Sequence, residues 1–224
     1  MINAISKVAW RIQKTGLGDT CRWLGSHIST WRREQVRGID TRGKLHPDTR
    51  AVDQCNGYEP IMYECLDCIF DALEISGDDV LIDYGSGKGR VLIEASLRNF
   101  KRIEGVEYDL KLVEQSEANI RNFQPQLLDN QIFVHHCDAR DYEIPMDATH
   151  IFLWNSFEGE VLDSVVSRIK AFVHIKKRPL KLVLALPSGE TASLSAFAEF
   201  GEPTAIETRF WTGADLYLYQ LVAK

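Results

Sequence analysis

A turn with three alternating glycines is the stretch of this sequence that most clearly predicts a ligand site. The segment LIDYGSGKGR places Gly85, Gly87 and Gly89 just after an apolar run that contains Asp83. Glycine permits positive φ and lets a ligand approach the main chain closely. A dinucleotide site would have glycine or alanine where this chain has Arg90, and a phosphate-binding loop would continue Gly-Lys-Ser/Thr. The pattern therefore favours a nucleoside ligand without a phosphate chain.

Two further acids follow apolar runs later in the chain. Glu107 comes 18 residues after Gly89, where a carboxylate can accept hydrogen bonds from both hydroxyls of a ribose. Asp138 ends the next apolar run and can accept a hydrogen bond from the exocyclic amine of an adenine ring. Each acid taken alone can also be explained as a helix cap or a loop carboxylate. Together with Asp83 they form a negative mouth that suits a cationic ligand.

The elements that must position these residues alternate regularly from residue 61 onward. Apolar runs predict strands at 79–85, 102–109, 131–139, 149–156, 180–188, 203–211 and 215–223. Helical spacing predicts helices at 61–75, 89–99 and 191–200, and two more that contain Leu112 and Val161. The alternation implies a parallel sheet covered on both faces, and the short turn TGA implies an antiparallel pair at the end. Ligands of such sheets bind beyond the carboxyl ends of the strands, where the glycines and acids are expected.

At these motifs the sequence resembles the class I S-adenosylmethionine-dependent methyltransferases. DYGSGKGR is similar to their first motif, GVEYD to their acidic second motif and HCDA to the motif beside adenine. The resemblance implies a Rossmann-like, seven-stranded, mostly parallel sheet over residues 51–224, closed by a C-terminal antiparallel hairpin. It also implies S-adenosyl-L-methionine as the cofactor. The cofactor-binding residues that it implies are Tyr58, Glu59, Asp83, Gly85, Ser86, Gly87, Gly89, Glu107, Tyr108, Asp138 and Ala139.

The residues before the glycine turn point to a subgroup of these enzymes. YEP at 58–60, with the first motif, resembles protein-lysine methyltransferases that lack a SET domain, and also bacterial proteins without an assigned substrate. In the histone-lysine members an upstream loop closes over the cofactor, and the resemblance gives that role to Tyr58 and Glu59. The alternative is a turn that leads into a helix, with Pro60 at the first helical position.

The segment FLWNSFEG follows the fourth predicted strand and offers residues for the transfer itself. Asn155 and Phe157 resemble the Asn/Asp-Pro-Pro-Tyr/Phe motif of amine methyltransferases. In that motif the polar side chain accepts a hydrogen bond from the target nitrogen, and the aromatic ring packs beside the target. Ser156 and Phe157 stand where that motif has its two prolines, so the motif is shortened here. The alternative is a strand-to-helix turn in which Asn155 or Ser156 caps the helix that begins near residue 159.

The first 50 residues differ from the rest in charge and composition. Residues 1–45 hold nine Lys or Arg and three Asp or Glu, which gives this segment a net charge of +6. The remaining residues have a net charge of −12. They hold three of the five tryptophans, Trp10, Trp23 and Trp31, and read as helices to residue 35, then as a loop over 38–50. This basic helical arm is expected either to pack on its own domain or to contact an anionic surface or an acidic partner.

Composition narrows the class of protein. The chain has 224 residues, of which 45% are hydrophobic and 26% charged, as in a globular protein with a substantial core. Five cysteines argue against a disulfide framework, and Cys65 and Cys68 are expected as thiols on a helix face rather than as zinc ligands. No apolar run is long enough for a membrane span or a signal peptide, so a cytoplasmic location is expected.

Three functions follow from these patterns, and the methyl acceptor is unknown in each. The preferred interpretation is an N-methyltransferase that uses S-adenosylmethionine and acts on protein lysine. The second is a methyltransferase that acts on a small metabolite or on nucleic acid. The third is a cofactor-binding module without catalytic activity that works through its basic arm.

Overall fold

A seven-stranded sheet forms the centre of the molecule. The computed structural model describes residues 4–44, 54–123, 131–176 and 179–222. The strands are β1 (Val80–Tyr84), β2 (Arg102–Glu107), β3 (Gln131–His136), β4 (His150–Trp154), β5 (Leu180–Pro187), β6 (Thr204–Ile206) and β7 (Ala214–Leu221). Their spatial order is β3-β2-β1-β4-β5-β7-β6, and only the pairs that involve β7 are antiparallel. The predicted fold class, a mostly parallel Rossmann-like sheet with a C-terminal antiparallel hairpin, is confirmed.

Helices cover both faces of this sheet. The helices are α1 (Ala4–Thr15), α2 (Leu17–Arg37), α3 (Tyr63–Ala72), α4 (Arg90–Ser96), α5 (Leu110–Phe123), α6 (Gly159–Ile175) and the short α7 (Ala192–Ser195), followed by a 3-10 turn at Ala198–Phe200. Successive residues of β1 face opposite layers, as the period of a strand requires. Ile82 packs with Val165 of α6 on one face, and Leu81 packs with Leu66 of α3 on the other. Burial on both faces explains why β1 is an apolar run that only Asp83 interrupts.

The last hairpin differs from its prediction. The strand predicted at 203–211 ends at Ile206, and seven residues rather than a tight turn lead to β7. The main chain at Trp211 pairs elsewhere, because its carbonyl accepts from Arg11 Nη2 at 2.6 Å and its N–H donates to Asp19 Oδ2 at 3.1 Å. Side chains of the N-terminal helices therefore take the hydrogen bonds that a longer β6 would have used.

Three predicted helices are shorter in the structure, and the one predicted at 89–99 spans only Arg90–Ser96. The helix predicted at 61–75 begins at Tyr63, so Pro60 precedes it by three residues and does not occupy its first turn. The helix predicted at 191–200 is divided into α7 and the 3-10 turn. The loop predicted at 38–50 has no helix or strand over 38–44, and its remainder lies outside the described residues.

The N-terminal helices pack on the sheet domain along one side of α2. Glu34 is fully buried and pairs with Arg90 at 2.9 Å, at the start of α4. Arg33 and Arg37 both pair with Glu94 of the same helix. The packing that the sequence analysis expected as one alternative for the arm is therefore present for α2. No helix in the described parts of the chain is long and apolar enough to cross a membrane.

Candidate functional site

A cavity of about 780 Å³ lies beyond the carboxyl ends of β1, β2 and β4. Parallel pairing brings these ends to one edge, with Asp83 opposite both Gly105 of β2 and Phe152 of β4. Eleven of the thirteen predicted site residues line the cavity. They are Tyr58, Glu59, Asp83, Gly85, Ser86, Glu107, Tyr108, Asp138, Ala139, Asn155 and Phe157. The sheet thus gathers residues that are spread over about half of the sequence.

Glu107 is held at the end of β2 by main-chain donors. Its Oε2 accepts from the N–H of Gly87 at 2.8 Å, and its Oε1 accepts from the N–H of Asp109 at 2.9 Å. Burial raises the pKa of this carboxyl, while the main-chain N–H groups act in the opposite direction. Each carboxylate oxygen can accept a second hydrogen bond. Glu107 is therefore an oriented acceptor that lines the cavity.

Asp83 is a buried carboxyl with one unsatisfied oxygen. The residue is 2% exposed and lines the cavity, and its Oδ2 has no hydrogen-bond partner among the described residues. Burial, and then the nearby charge of Glu107, raise its pKa well above the usual value. A buried unpaired carboxylate is costly, whereas a cation or an N–H donor in the cavity would satisfy it.

Asp138 lies in a different electrostatic environment. Its carboxylate forms a two-pronged pair with Arg140, at 3.0 and 2.7 Å, and accepts from the main-chain N–H of Arg140 at 2.8 Å. These hydrogen bonds hold its pKa below the usual value, so the group is ionised. Beside it, burial followed by the charge of Asp138 raises the pKa of the Cys55 thiol.

The glycine turn is pinned to β2 and covered by side chains of the protein itself. Gly85 and Ser86 both donate main-chain hydrogen bonds to the carbonyl of Val106, at 2.8 and 3.1 Å. Gly87 has φ of +54°, and a Cβ there would lie 2.3 Å from the ring of Tyr58. Added carbons at the other two glycines would meet Ser156 and Ser116.

The interpretation of the three glycines is therefore corrected. The sequence analysis attributed their lack of side chains to the approach of a ligand. In the structure Gly85 lines the cavity, whereas Gly87 and Gly89 are not among the described residues that line it. Protein side chains occupy the space that Cβ atoms would need, and at Gly87 that side chain is the ring of Tyr58.

Residues 54–61, here called the cover loop, form one wall of the cavity. The Tyr58 hydroxyl donates to the carbonyl of Thr41 at 2.6 Å, and the Glu59 carboxylate pairs with Lys44. The Glu59 carbonyl accepts from the indole N–H of Trp154 at 2.7 Å. The alternative of a turn with Pro60 at the first helical position is wrong, because α3 begins only at Tyr63.

Asn155 follows β4 with an unusual backbone. Its φ is +43°, and its N–H donates to the carbonyl of Ala185 at 3.2 Å. The Asn56 amide donates to its carbonyl at 2.8 Å and more weakly to its side-chain Oδ1 at 3.3 Å. Asparagine tolerates this left-handed conformation better than most residues. Its Oδ1 retains a lone pair for a further donor.

The alternative that Asn155 or Ser156 caps α6 is wrong. The capping acceptor is Gln54, whose Oε1 accepts from the N–H of Glu160 at 2.7 Å. Ser156 donates instead to the carbonyl of Tyr84 at 2.9 Å. The cap comes from a residue about 100 positions earlier in the chain, so no local pattern at residues 155–159 indicates it.

Phe157 is more deeply buried than expected for an aromatic ring that forms the wall of a substrate site. It is 8% exposed, packs in the core beside Tyr84, and forms an isolated antiparallel bridge with Cys55 of the cover loop. One edge of its ring faces Gly85. It contributes to the cavity wall and also fastens the cover loop to the end of β4.

The cavity is also lined by residues that the sequence analysis did not select, among them Lys44, Cys55, Asn56 and Trp154. Of these four, only Trp154 had a local signal, because it directly precedes Asn155 at the end of a predicted strand. The others lie before the first strand, in segments without periodic pattern, and packing alone brings them to the site.

Comparison with known proteins identifies the fold. No family model matches the sequence, and no curated protein matches it. Solved structures do match, among them a tRNA methyltransferase from Aquifex aeolicus, with a TM-score of 0.60, 15% identity, and coverage of 75% of this chain and 72% of that one. A precorrin-6y methyltransferase from Geobacter metallireducens has a TM-score of 0.58 and 17% identity, with coverage of 80% and 95%.

A third match was solved with a bound ligand. It is an RNA methyltransferase from Salinibacter ruber in complex with S-adenosyl-L-homocysteine, with a TM-score of 0.53, 20% identity, and coverage of 74% of this chain and 95% of that one. At such identities the likeness concerns the fold. The chain has the Rossmann-like fold of the class I methyltransferases, as its motifs predicted.

Proposed function

We propose that this chain, with its class I methyltransferase fold, is an S-adenosylmethionine-dependent N-methyltransferase. The observation that carries the proposal is the cavity at the carboxyl ends of β1, β2 and β4, where an oriented Glu107 and an unsatisfied Asp83 face the same space. Three proteins of the same fold bear names of methyltransferases with different acceptors. This likeness supports the reaction class but not the acceptor.

The residues present fit the cofactor. The cavity volume lies within the range of about 300–1,000 Å³ that is usual for small-molecule sites. The lone pairs left on Glu107 suit the two hydroxyls of a ribose, and Asp138, ionised beside Arg140, suits the edge of an adenine. The Oδ2 of Asp83 suits a positively charged group, because it lacks a partner and is buried.

The chain's own contribution to methyl transfer is alignment. When bound, the cofactor supplies a methyl group that its sulfonium already activates. The Oδ1 of Asn155 accepts an N–H from the acceptor amine and thereby directs the nitrogen lone pair. Trp154 and Phe157 exclude water from the same end of the cavity. A lysine ammonium must first lose a proton, which desolvation in the cavity favours.

Protein lysine is the acceptor that we propose. Among the described charged residues that line the cavity, the five acids Glu59, Asp83, Glu107, Asp109 and Asp138 outnumber the three bases Lys44, Arg90 and Lys111. This balance favours a cationic acceptor over a polyanion. Nucleic acid, which the names of two structural neighbours include, would bring phosphate charges to this mouth. A small amine remains the alternative with the same chemistry.

The five cysteines are free thiols, which fits a reducing cytoplasm.

Two measurements with the full chain test the proposal. S-adenosylmethionine should raise the melting temperature through mass action, and NAD should not. Glu107→Ala should abolish most of that rise. Stabilisation by NAD instead of S-adenosylmethionine would overturn the assignment of the cofactor.

Transfer is tested separately from binding. Cofactor with a labelled methyl group is incubated with cell extract and the chain, and the product is treated with protease or nuclease. Protease-sensitive label supports a protein acceptor, and nuclease-sensitive label refutes it. Cofactor binding without any transfer to protein, nucleic acid or small molecules would favour the module without catalytic activity.

A further inference from the structure

The outward side of α2 carries a continuous apolar stripe that no part of the described chain covers. It consists of Leu17, Cys21, Leu24, Ile28 and Trp31, here called the α2 stripe. The spacing of four, three, four and three residues aligns them along one helix face. All five are exposed, with 65% exposure for Leu17, 62% for Ile28 and 51% for Trp31. Helices normally bury such a stripe against a neighbour.

The opposite side of α2 already holds the helix to the domain. Ser26 is buried there, and Arg33 and Arg37 on the same side pair with Glu94. The α2 stripe is therefore not a helix face that has failed to dock on its own domain. It is a second apolar face on a helix whose first face is occupied.

Positive charge accompanies the stripe. Arg32 is exposed directly beside Trp31, and no ion pair of Arg32 occurs within the described ranges. An open groove of about 480 Å³ runs along the same flank, between Ile28 and Val36. Within the described chain Arg32 borders it without an ion pair, whereas Arg33 and Arg37, which also border it, are paired with Glu94. The two acids of α2 do not offset this charge outside, because Glu34 is buried and Asp19 is engaged by Arg22 and the main chain of Trp211.

We propose that the α2 stripe docks on the surface of a bilayer that contains anionic lipid. An exposed apolar stripe with flanking arginines and a tryptophan is the combination that places a helix in the plane of such an interface. Exposed Trp10 of α1 adds a second ring of the kind that sits at headgroup level. Docking of a second copy on the stripe is disfavoured by charge, since it would bring two arms of net charge +6 together.

Vesicle binding by the full chain tests this proposal, which does not depend on the proposed methyl transfer. The chain should sediment with vesicles of phosphatidylcholine and phosphatidylglycerol, far less with phosphatidylcholine alone, and less as salt increases. Ile28→Ser combined with Trp31→Ser should weaken partitioning by roughly tenfold or more, because each buried CH₂ contributes measurably to interfacial binding. Arg32→Glu should weaken it by about tenfold.

Matched controls lie on the body of the protein. Ile175→Ser changes an isoleucine of α6 that is 67% exposed, and Arg209→Glu changes an arginine that is 75% exposed. Both should leave vesicle binding unchanged. The melting temperature of each stripe variant should also be unchanged, because the altered side chains are exposed, and this separates loss of docking from loss of folding.

Three results would overturn the proposal. The first is equal binding to neutral and anionic vesicles. The second is anionic binding that Ile175→Ser and the stripe variants reduce equally. The third is a dimer of the full chain in solution that the stripe variants dissociate, which would make a second copy the occupant of the stripe.

Discussion

The protonation state of Asp83 makes both the stability of the fold and ligand binding in the cavity depend on pH. Because its pKa is raised above 3.8, the folded protein without ligand binds a proton there that the unfolded chain releases. The contribution of Asp83 to the stability of the fold therefore falls as the pH rises from the ordinary pKa of an aspartate through the raised pKa of Asp83. A cationic ligand favours the ionised form, so its binding releases the proton.

We predict that affinity for S-adenosylmethionine rises with pH up to the raised pKa of Asp83, by up to about tenfold per pH unit. Calorimetric titration in buffers with different ionisation enthalpies measures the proton released. Asp83→Asn should remove that release, apart from the share of Glu107, whose pKa is also raised. Asp138→Asn is the control, because Arg140 already keeps that carboxyl ionised. Proton release unchanged in Asp83→Asn would refute the assignment.

Asn155 combines a reactive position with a strained backbone, and its variants can separate the two. Alanine at φ of +43° loses the side chain and also adds left-handed strain of roughly 1–2 kcal/mol. Glycine loses the side chain but accepts that backbone conformation freely. The pair Asn155→Ala and Asn155→Gly therefore distinguishes a chemical role from a conformational one.

We predict that Asn155→Gly slows single-turnover methyl transfer by roughly 10²-fold while cofactor affinity stays near that of the parent. Asn155→Ala should be as slow and less stable. The rate and the melting temperature are measured for both variants once an acceptor is identified. A fully active Asn155→Gly would remove the side chain from the mechanism.

At the scale of the elements, the glycine turn and the cover loop act as one unit. The ring of Tyr58 occupies the space beside Gly87, and the N–H of Gly87 orients Glu107. A side chain at position 87 therefore displaces the cover loop and disturbs the acceptor for the ribose at the same time.

We predict that Gly87→Ala weakens cofactor binding by tenfold or more. Gly213→Ala is the matched control, since Gly213 has φ of +85° and open space where its Cβ would lie. Both variants carry strain of roughly 1–2 kcal/mol, but only Gly87→Ala meets an aromatic ring. Melting temperature and cofactor titration measure the two effects. Equal affinity in the two variants would mean that the contact between Tyr58 and Gly87 does not support cofactor binding. Tyr58→Ala added to Gly87→Ala should restore part of the stability.

At the scale of the whole molecule, a buried ion pair joins the N-terminal arm to the base of the site. Arg90 is 5% exposed and donates to Glu34, to the hydroxyl of Thr41 and to the carbonyl of Ile61. Its guanidinium also lies 4.3 Å from the ring centre of Tyr63. The arm, the cover loop and α4 meet at this one group.

We predict that Glu34→Ala destabilises the protein by about 3–5 kcal/mol, because it leaves a buried arginine without its counter-charge. Glu34→Met with Arg90→Met should cost less than Glu34→Ala alone. Urea unfolding measures both. Arg121→Ala, which breaks an exposed pair with Glu117, should change stability by no more than about 0.5 kcal/mol.

The same contact decides what removal of the arm does. Deletion of residues 1–35 takes away Glu34 and should destabilise the domain, whereas an independent arm could be deleted without that cost. A truncated chain as stable as the parent would contradict the role given to the pair of Glu34 and Arg90.

The sequence by itself determined the order of strands and helices, the glycine turn and the acids at the strand ends. These depend on local information, since strands and helices have their own periods and a turn needs particular residues at adjacent positions. The tertiary structure decided which groups meet there. Tyr58 on Gly87, Gln54 as the cap of α6, and Glu34 on Arg90 across 56 residues arise when distant segments pack. Such contacts depend on the shape and charge of both partners in the folded chain, and no local pattern records them.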